Sequence, residues 1–186
     1  MNRLQKGALL AELADQLRQQ GSWCGETHLQ KATYFLQELL NVPTGFDFIL
    51  YKHGPFSFDL RDELTSLRAD GLLELRVQPA PYGPSLLPSS RSIEYRSRFQ
   101  VTIGNYSGAV AFIARVLGKK GVADLESLGT ALLVTRQLGP TAAVEDRARR
   151  LQELKPHLSA AQALSAVQEV DEIARQAKNL TPAQAG

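Results

Sequence analysis

Residues 27–71 constrain the fold of this chain most, because two amphipathic segments flank a short apolar one there. In the first segment, apolar residues recur three and four positions apart, which is the period of a helix with one buried face. Thr27 and Gln30 have the spacing of a capping box, so this helix is predicted to begin at Thr27. The polar side chains of His28 and Lys31 are expected on its solvent side.

The short apolar segment, residues 46–51, predicts a strand, because it is too short for a helix and rich in aromatic residues. Residues 52–55, Lys-His-Gly-Pro, predict a turn. Ser57 has the position of a helix cap, and the helix that follows is predicted to end at Gly71. Its expected buried leucines are Leu60, Leu64 and Leu67.

Three more segments complete the first half of the chain. Residues 3–20 predict an amphipathic helix, and residues 72–77 predict a strand. Residues 93–102 alternate apolar with polar or charged side chains, which is typical of a strand with one covered face. The Pro/Gly/Ser-rich residues 79–90 between these strands predict a loop, so the two strands form a β-hairpin. The order helix, helix, strand, helix, strand, strand is that of a winged helix, with this hairpin as the wing.

The second half of the chain predicts helices only. One is expected from residue 105 onwards, one after a cap at Asp124 and one over residues 141–155, with Arg147 pointing to solvent. A capping box formed by Ser159 and Gln162 predicts the last helix. Small residues on its apolar stripe suit close packing, either against the body or against a second copy of the chain.

Together these segments predict an α+β fold that is mostly helical. It comprises a winged-helix-like core at residues 1–103, a helical extension packed on it at residues 104–180, and a flexible tail at residues 181–186.

Composition excludes several classes of protein. The chain has 186 residues, of which 44% are hydrophobic and 22% charged, as in a globular protein with one core. A net charge of +2 gives no global field that would attract nucleic acid or a membrane. No apolar run approaches the roughly 20 residues of a membrane-spanning helix. The charged N-terminal stretch is unlike a signal peptide, so we expect a cytoplasmic protein.

Few side chains are suited to metal binding or nucleophilic catalysis. A zinc site needs three or four ligands, whereas the thiol and imidazole groups belong to Cys24, His28, His53 and His157 alone. We therefore predict no metal, no cofactor and no enzymatic activity. A Cys–His pair that meets in space stays open as an alternative, with the pKa of Cys24 lowered by the nearby helix start. The neighbouring Trp23 is expected in the core.

Two short motifs resemble a known family. Residues 28–36, HLQKATYFL, and residues 51–57, YKHGPFS, are similar to Panacea-domain proteins (SocA-like antitoxins) and to YwgA-like bacterial proteins. That family carries a KLQKLxYF-type helix, then an aromatic, basic, His- or Tyr-Gly-Pro turn and a leucine-bearing helix. The resemblance covers residues 4–75, and this chain departs from the pattern at His28 and Ala32. It implies a small bacterial protein that binds another protein, often a toxin, and is not an enzyme.

The helix predicted after Ser57 is the candidate partner-binding surface. It carries two arginines against four carboxylates, so it is unsuited to the phosphates of DNA. We expect its acidic side to face a basic patch of a partner protein, with two phenylalanines and the histidine turn beside it. The predicted contact residues are His53, Phe56, Phe58, Asp59, Asp62 and Glu63. The alternative for the His53-Gly-Pro turn is that it only sets the angle between strand and helix.

The predicted hairpin offers a second hypothesis, in which the chain is a DNA-binding regulator. Its basic residues are Arg76, Arg91, Arg96 and Arg98. On a strand, Arg96 and Arg98 would point the same way and could grip a DNA backbone. The alternative is a solvated strand face on which the arginine stems cover apolar surface.

Overall fold

Helices make up most of this fold, and two small β-hairpins interrupt them. The computed structural model describes residues 1–79 and 83–180. In chain order its elements are α1 (Arg3–Gln19), α2 (Glu26–Glu38), β1 (Ile49–Tyr51), β2 (Gly54–Phe56), α3 (Phe58–Ala69), β3 (Leu73–Arg76), β4 (Ser85–Pro88), α4 (Ser90–Ser97), α5 (Gln100–Leu117), α6 (Val122–Leu138), α7 (Val144–Leu154) and α8 (Ala160–Ala177). The predicted class, α+β and mostly helical, is therefore confirmed. The predicted tail, residues 181–186, lies outside the described residues.

One cluster of buried apolar side chains runs through both halves of the chain. Leu13 and Leu17 of α1 and Ile113 and Leu117 of α5 are fully buried in it, because α1 packs along α5. Helix α2 packs against α5 and α6, and α8 covers α6 and α7. The boundary predicted between residues 103 and 104 falls inside α5, and the division into two domains stays a prediction. No helix in the described residues is both long and apolar enough to cross a bilayer.

Several local predictions are confirmed. Ser57 caps α3 by accepting a hydrogen bond from the N–H of Leu60 (3.2 Å). The predicted leucine stripe of α3 is buried. Gly71 ends that helix with a φ of +70°. The capping box of Ser159 and Gln162 begins α8.

The capping box predicted at Thr27 is wrong. Helix α2 begins one residue earlier, at Glu26, and its cap residue, Gly25, makes no side-chain capping bond. The amide of Gln30 is used elsewhere, in a pair of bonds to the backbone of Ser57. The cap predicted at Asp124 is also wrong, because α6 begins at Val122 and its cap residue is Gly121. Asp124 lies inside the helix, where its carboxylate accepts a hydrogen bond from the N–H of Gly121.

The first hairpin is shorter than predicted. Only residues 49–51 of the expected strand pair with another strand, and β1 and β2 run antiparallel with Tyr51 opposite Gly54. The turn consists of Lys52 and His53, so Gly54 and Pro55 belong to β2. The second hairpin pairs β3 with β4, whose outer edge is bonded by the chain before α2: the N–H of Leu86 donates to the carbonyl of Cys24 (2.8 Å).

The strand predicted over residues 93–102 is wrong, because this segment forms α4 and the start of α5. Its alternating apolar residues do not share a covered face, since Ile93 is 65% and Val101 is 79% exposed. Contact with the body instead recurs at helical spacing, through the fully buried Ser92 and through Arg96, which bonds to α1. Strand β4, at residues 85–88, takes the place of the predicted strand in the hairpin.

Three expectations about side-chain placement are also wrong. Lys31 and His28 are buried instead of facing solvent, and Trp23 is partly exposed instead of lying in the core. Arg147 is only 2% exposed, because its guanidinium makes two bonds of 2.7 Å to the carboxylate of Asp171 and joins α7 to α8. The small-residue stripe of α8 packs inside the chain against α6 and α7.

Candidate partner-binding surface

Side chains of α2 hold the inner edge of the first hairpin. The amide of Gln30 donates to the carbonyl of Ser57 and accepts from its N–H, both at 2.9 Å. The ammonium of Lys31 donates to the carbonyl of Pro55 at 2.7 Å. These buried backbone groups would otherwise lack partners, which is costly in a core. Two polar side chains of α2 thus bond to backbone groups along this edge that a neighbouring strand would otherwise pair with.

Helix α6 supports the hairpin from behind. Gly54 has a φ of +87°, a conformation that side chains rarely adopt, and a Cβ there would lie 2.6 Å from Oγ1 of Thr130. A Cβ on Gly129 would lie 3.2 Å from Cδ of Lys31. The hairpin therefore approaches α6 as closely as glycine allows, and its position is fixed.

A charged cluster lies under the turn of this hairpin. Burial lowers the pKa of Lys31 to about 8, with Glu126 opposing the shift and Lys155 adding to it. Glu126 places one carboxylate oxygen 2.9 Å from Nδ1 of His53 and the other 3.9 Å from Nζ of Lys155. Lys155 also donates to the carbonyl of Lys52 (3.1 Å). We call Lys31, Glu126 and Lys155 the hairpin anchor. His53 is bound to it, which supports a structural role for the turn.

The outer side of the hairpin exposes a group of apolar residues. The rings of Tyr51, Phe56 and Phe58 contact one another, with centroids 5.1 to 5.8 Å apart. Ile49 is 50% and Tyr51 is 45% exposed, and Phe58 is exposed to a similar degree. Leu50 is also exposed, but on a strand its side chain points to the opposite face. We call Ile49, Tyr51, Phe56 and Phe58 the aromatic patch. Contiguous exposed apolar side chains are unusual on a monomer and mark sites of interaction.

The acidic side of α3 is smaller than predicted. Asp59 and Asp62 are exposed beside the aromatic patch. Glu63, however, is turned towards α1, where it bonds to Nε of Arg3 at 3.0 Å and keeps only 13% of its side chain exposed. Arg61 lies over the ring of Phe58 at 5.0 Å and within 3.8 Å of Asp62. Asp59 is the predicted acid without an ion pair among the described residues.

Of the six predicted contact residues, the structure brings together Phe56, Phe58, Asp59 and Asp62. His53 lies at the turn of the hairpin, bound to Glu126 of α6. Sequence reasoning missed Ile49, Leu50 and Tyr51, which were predicted only as strand residues. The signal was present in the strand itself, because three consecutive apolar residues without alternation cannot all face a core from a two-stranded hairpin.

The basic hairpin predicted for DNA binding does not form. Arg76 lies on β3, whereas Arg91 lies in α4, where its guanidinium packs beside Gly71. Arg96 is held by Glu12 (2.7 Å) and Asp15 (2.8 Å) of α1. Arg98, at the end of α4, pairs with Glu94 at 2.5 Å. The four arginines therefore share no strand face, and Arg96 serves to pack α4 on α1.

Cys24 and His28 have structural surroundings. Cys24 is fully buried, and burial raises the pKa of its thiol to about 12, the opposite of the lowering that the Cys–His alternative needs. Nε2 of His28 donates to the carbonyl of Leu117 (2.8 Å), and its Nδ1 lies 2.9 Å from Oγ of Ser22. Burial lowers the pKa of His28, which favours the neutral ring, in which Nδ1 accepts the hydroxyl proton of Ser22. Among the described residues no cluster of three His, Cys, Asp or Glu side chains could hold a metal ion.

A cavity of about 290 Å³ lies between the start of α2, α3 and the second hairpin. Trp23, His28 and Leu75 are among its lining residues, but Cys24 is not. Charges of both signs border it, and partial burial raises the pKa of Glu26 against the attraction of Arg61 and Arg68.

Comparison with models of known protein families finds none that matches this chain, and comparison with curated proteins finds no match either.

Proposed function

We propose that this chain is a non-enzymatic protein-binding module that docks a partner protein on the aromatic patch. The observation that carries the proposal is the ring cluster of Tyr51, Phe56 and Phe58, of which Tyr51 and Phe58 are exposed, on a hairpin that the body holds firmly. Protein interfaces are enriched in aromatic residues at their centre and have a polar rim. Asp59 and Asp62 supply such a rim and favour a basic patch on the partner.

The rigidity of the hairpin supports the same function. Little conformational entropy is lost when a surface is already ordered before binding, so more of the contact energy appears as affinity. The bonds of Gln30 to Ser57 and of Lys31 to Pro55 provide that order. They also connect the two motifs of the family resemblance, since one motif contains Gln30 and Lys31 and the other contains Pro55 and Ser57.

On this basis we propose an antitoxin-like or regulatory role, as the resemblance to Panacea-domain proteins implies. The finer architecture that we propose is winged-helix-like, with α1, α2 and α3 as its helices and β3 and β4 as a short wing. In a simple winged helix the first strand pairs with the wing, whereas here β1 pairs with β2.

The proposal is tested by reversing charge beside the patch. The double substitution Asp59→Lys with Asp62→Lys leaves Glu63 to its bond with Arg3. The matched control is Glu145→Lys with Asp146→Lys, which makes the same charge change at exposed acids in the first turn of α7. Each protein is immobilised and challenged with lysate of the source organism, and captured proteins are quantified by mass spectrometry.

We expect one specific protein to be captured by the native chain and by the α7 variant but to be lost with the α3 variant. Binding of that protein, once purified, is then measured by calorimetry with Tyr51→Ala and Phe58→Ala. Each is expected to weaken binding by about tenfold or more, as central aromatic contacts do. If the α3 charge reversal and both alanine variants bind the partner like the native chain, the patch is not the docking surface.

A further inference from the structure

The two edges of the first hairpin differ in their hydrogen bonding. Pro55 has no N–H, so its pair with Leu50 is one of the pairs that exchange no bonds across the ladder. The carbonyl of Pro55 accordingly points away from β1, and Lys31 bonds to it. By the same geometry the N–H and C=O of Leu50 point away from β2. In the described residues, no hydrogen bond reaches this backbone donor and acceptor.

No charged side chain or proline within β1 protects this edge against strand pairing. An exposed edge strand is normally guarded by such residues or by being very short, and β1, with three residues, is guarded by its length alone. The outer edge of β3 has such guards, because Glu74 and Arg76 flank its exposed Leu75. Strand β1 instead carries three exposed apolar residues.

We infer that an extended segment of the partner protein adds to the outer edge of β1 as a third strand. The inference rests on the proposed protein-binding function and specifies how the partner binds. The Leu50 backbone would exchange hydrogen bonds with the added segment, while alternate side chains of that segment would lie over Tyr51 and Ile49. Strand addition draws its affinity from such backbone bonds and its specificity from alternate side chains.

The charges near this edge indicate the chemistry of the segment. Asp47 precedes β1 by two residues, so it lies at the open end of this edge, whereas Asp59 follows β2 on the far side of the hairpin. Asp47 has no ion pair within the described part of the chain. The partner segment therefore alternates apolar side chains and carries lysine or arginine where it passes Asp47. Lys52 occupies the opposite end, at the turn, and disfavours a basic residue there.

The critical variant is Leu50→Pro, because the N–H that it removes points outward and donates no hydrogen bond within the hairpin. Proline is tolerated at edge strands for this reason. Its matched control is Leu50→Ala, which loses the same side chain but keeps the N–H. The probe is a displayed library of random 12-residue peptides selected on the full native chain, from which the enriched sequence is synthesised.

We expect enriched peptides to alternate apolar residues and to contain lysine or arginine. Affinity should fall about tenfold or more from Leu50→Ala to Leu50→Pro, since a backbone hydrogen bond and the docking of the strand are lost. The amide of Leu50 should exchange more slowly with solvent when the peptide is bound. Equal affinity of the two variants, or failure of the native chain to enrich any such peptide, would overturn strand addition.

A second measurement does not depend on how well Leu50→Pro folds. The synthetic peptide is N-methylated at one position at a time and tested on the native chain. Binding should be lost when the amide that donates to the carbonyl of Leu50 is methylated and kept at the positions on either side of it, because neighbouring amides of an added strand point away from β1. Uniform tolerance of N-methylation would also overturn the inference. If Asp59→Lys with Asp62→Lys abolishes partner binding while these tests fail, the docking surface stands and strand addition falls.

Discussion

The two hairpins of this chain contain similar short apolar strands, but one is buried and the other is exposed. In the second hairpin, β4 turns its leucines into the core, and the chain before α2 bonds to its outer edge. In the first hairpin, β1 turns three apolar residues to solvent, and α2 bonds to β2 through side chains alone. Apolar residues thus stabilise the fold in one hairpin and remain available for binding in the other. The structural role of the first hairpin is carried by polar residues and glycine.

The largest effect that would test this difference is expected from Gly54→Ala. Its φ of +87° disfavours alanine by about 1 kcal/mol or more. The new Cβ would also stand 2.6 Å from Oγ1 of Thr130. Such overlap in a packed region costs about 1–3 kcal/mol, so we expect the free energy of unfolding to fall by about 3 kcal/mol in a urea titration.

The control for this variant is Gly21→Ala, at the end of α1. Gly21 has a φ of +93°, but nothing lies within 4 Å of the Cβ that would be added. Only the backbone cost of about 1 kcal/mol is expected there. Equal losses at the two glycines would mean that the close approach of the hairpin to α6 contributes nothing.

The second effect compares one residue from each hairpin. Leu86→Ala removes a buried side chain of β4 and should lower the free energy of unfolding by about 2–4 kcal/mol. Tyr51→Ala removes an exposed ring and should change it by under about 1 kcal/mol, while weakening partner binding. Chemical denaturation of both variants checks the contrast. A loss at Tyr51 as large as that at Leu86 would place the aromatic patch in the core and remove it as a docking surface.

Local patterns predicted the helices well. The stripe of Leu60, Leu64 and Leu67, the cap at Ser57 and the capping box at Ser159 depend on residues a few positions apart, and all are present. The prediction of a strand over residues 93–102 was wrong because the alternating apolar residues there do not mark a buried face. The segment is instead held against α1 by Arg96, which bonds to Glu12, a residue 84 positions earlier in the chain.

The polar contacts of the site could not be predicted from the sequence. Lys31 and His28 belong to a helix whose polar positions normally face water, and nothing local indicates that they are buried. Their partners, Pro55 and Leu117, lie 24 and 89 residues away, so only the folded chain brings them together. A long-range bond of a single polar side chain leaves no periodic signal in a sequence.

A third prediction concerns the side-chain amide of Gln30, which bonds to the backbone of Ser57 at the edge of the first hairpin. Gln30→Ala would leave the fully buried N–H and C=O of Ser57 without their partner. Unpaired buried groups cost about 1–3 kcal/mol, so a loss of about 2 kcal/mol is expected by denaturation. The control is Gln176→Ala, whose amide bonds only to the exposed Glu172 and should lose under about 0.5 kcal/mol. Similar values for both would show that solvent satisfies Ser57 and that β2 needs no partner on this edge.

The smallest expected effect is a difference in how stability depends on pH between Lys31, which bonds to the first hairpin, and Cys24, which bonds to the second. Burial lowers the pKa of Lys31 from its ordinary 10.5 to about 8. Between these values the unfolded chain binds more protons than the folded one, so the Lys31 contribution makes the free energy of unfolding rise with pH. Cys24, whose carbonyl bonds to the second hairpin, acts oppositely, because burial raises its thiol pKa from 9.0 to about 12. There the folded chain keeps the proton, and stability falls above pH 9.

Replacing the thiol isolates the Lys31 contribution. In a Cys24→Ala background, the free energy of unfolding with Lys31 present should rise by about 1 kcal/mol or more from about pH 7.5 to about pH 9.5, relative to Lys31→Met in the same background. Glu126 and Lys155 face this position in both proteins, so the two proteins differ there by the Lys31 ammonium. Urea titrations at the two pH values measure it. Parallel curves for the two proteins would show that Lys31 is hydrated in the folded chain, and the first hairpin would then be held mainly by Gln30 and by its contact with α6.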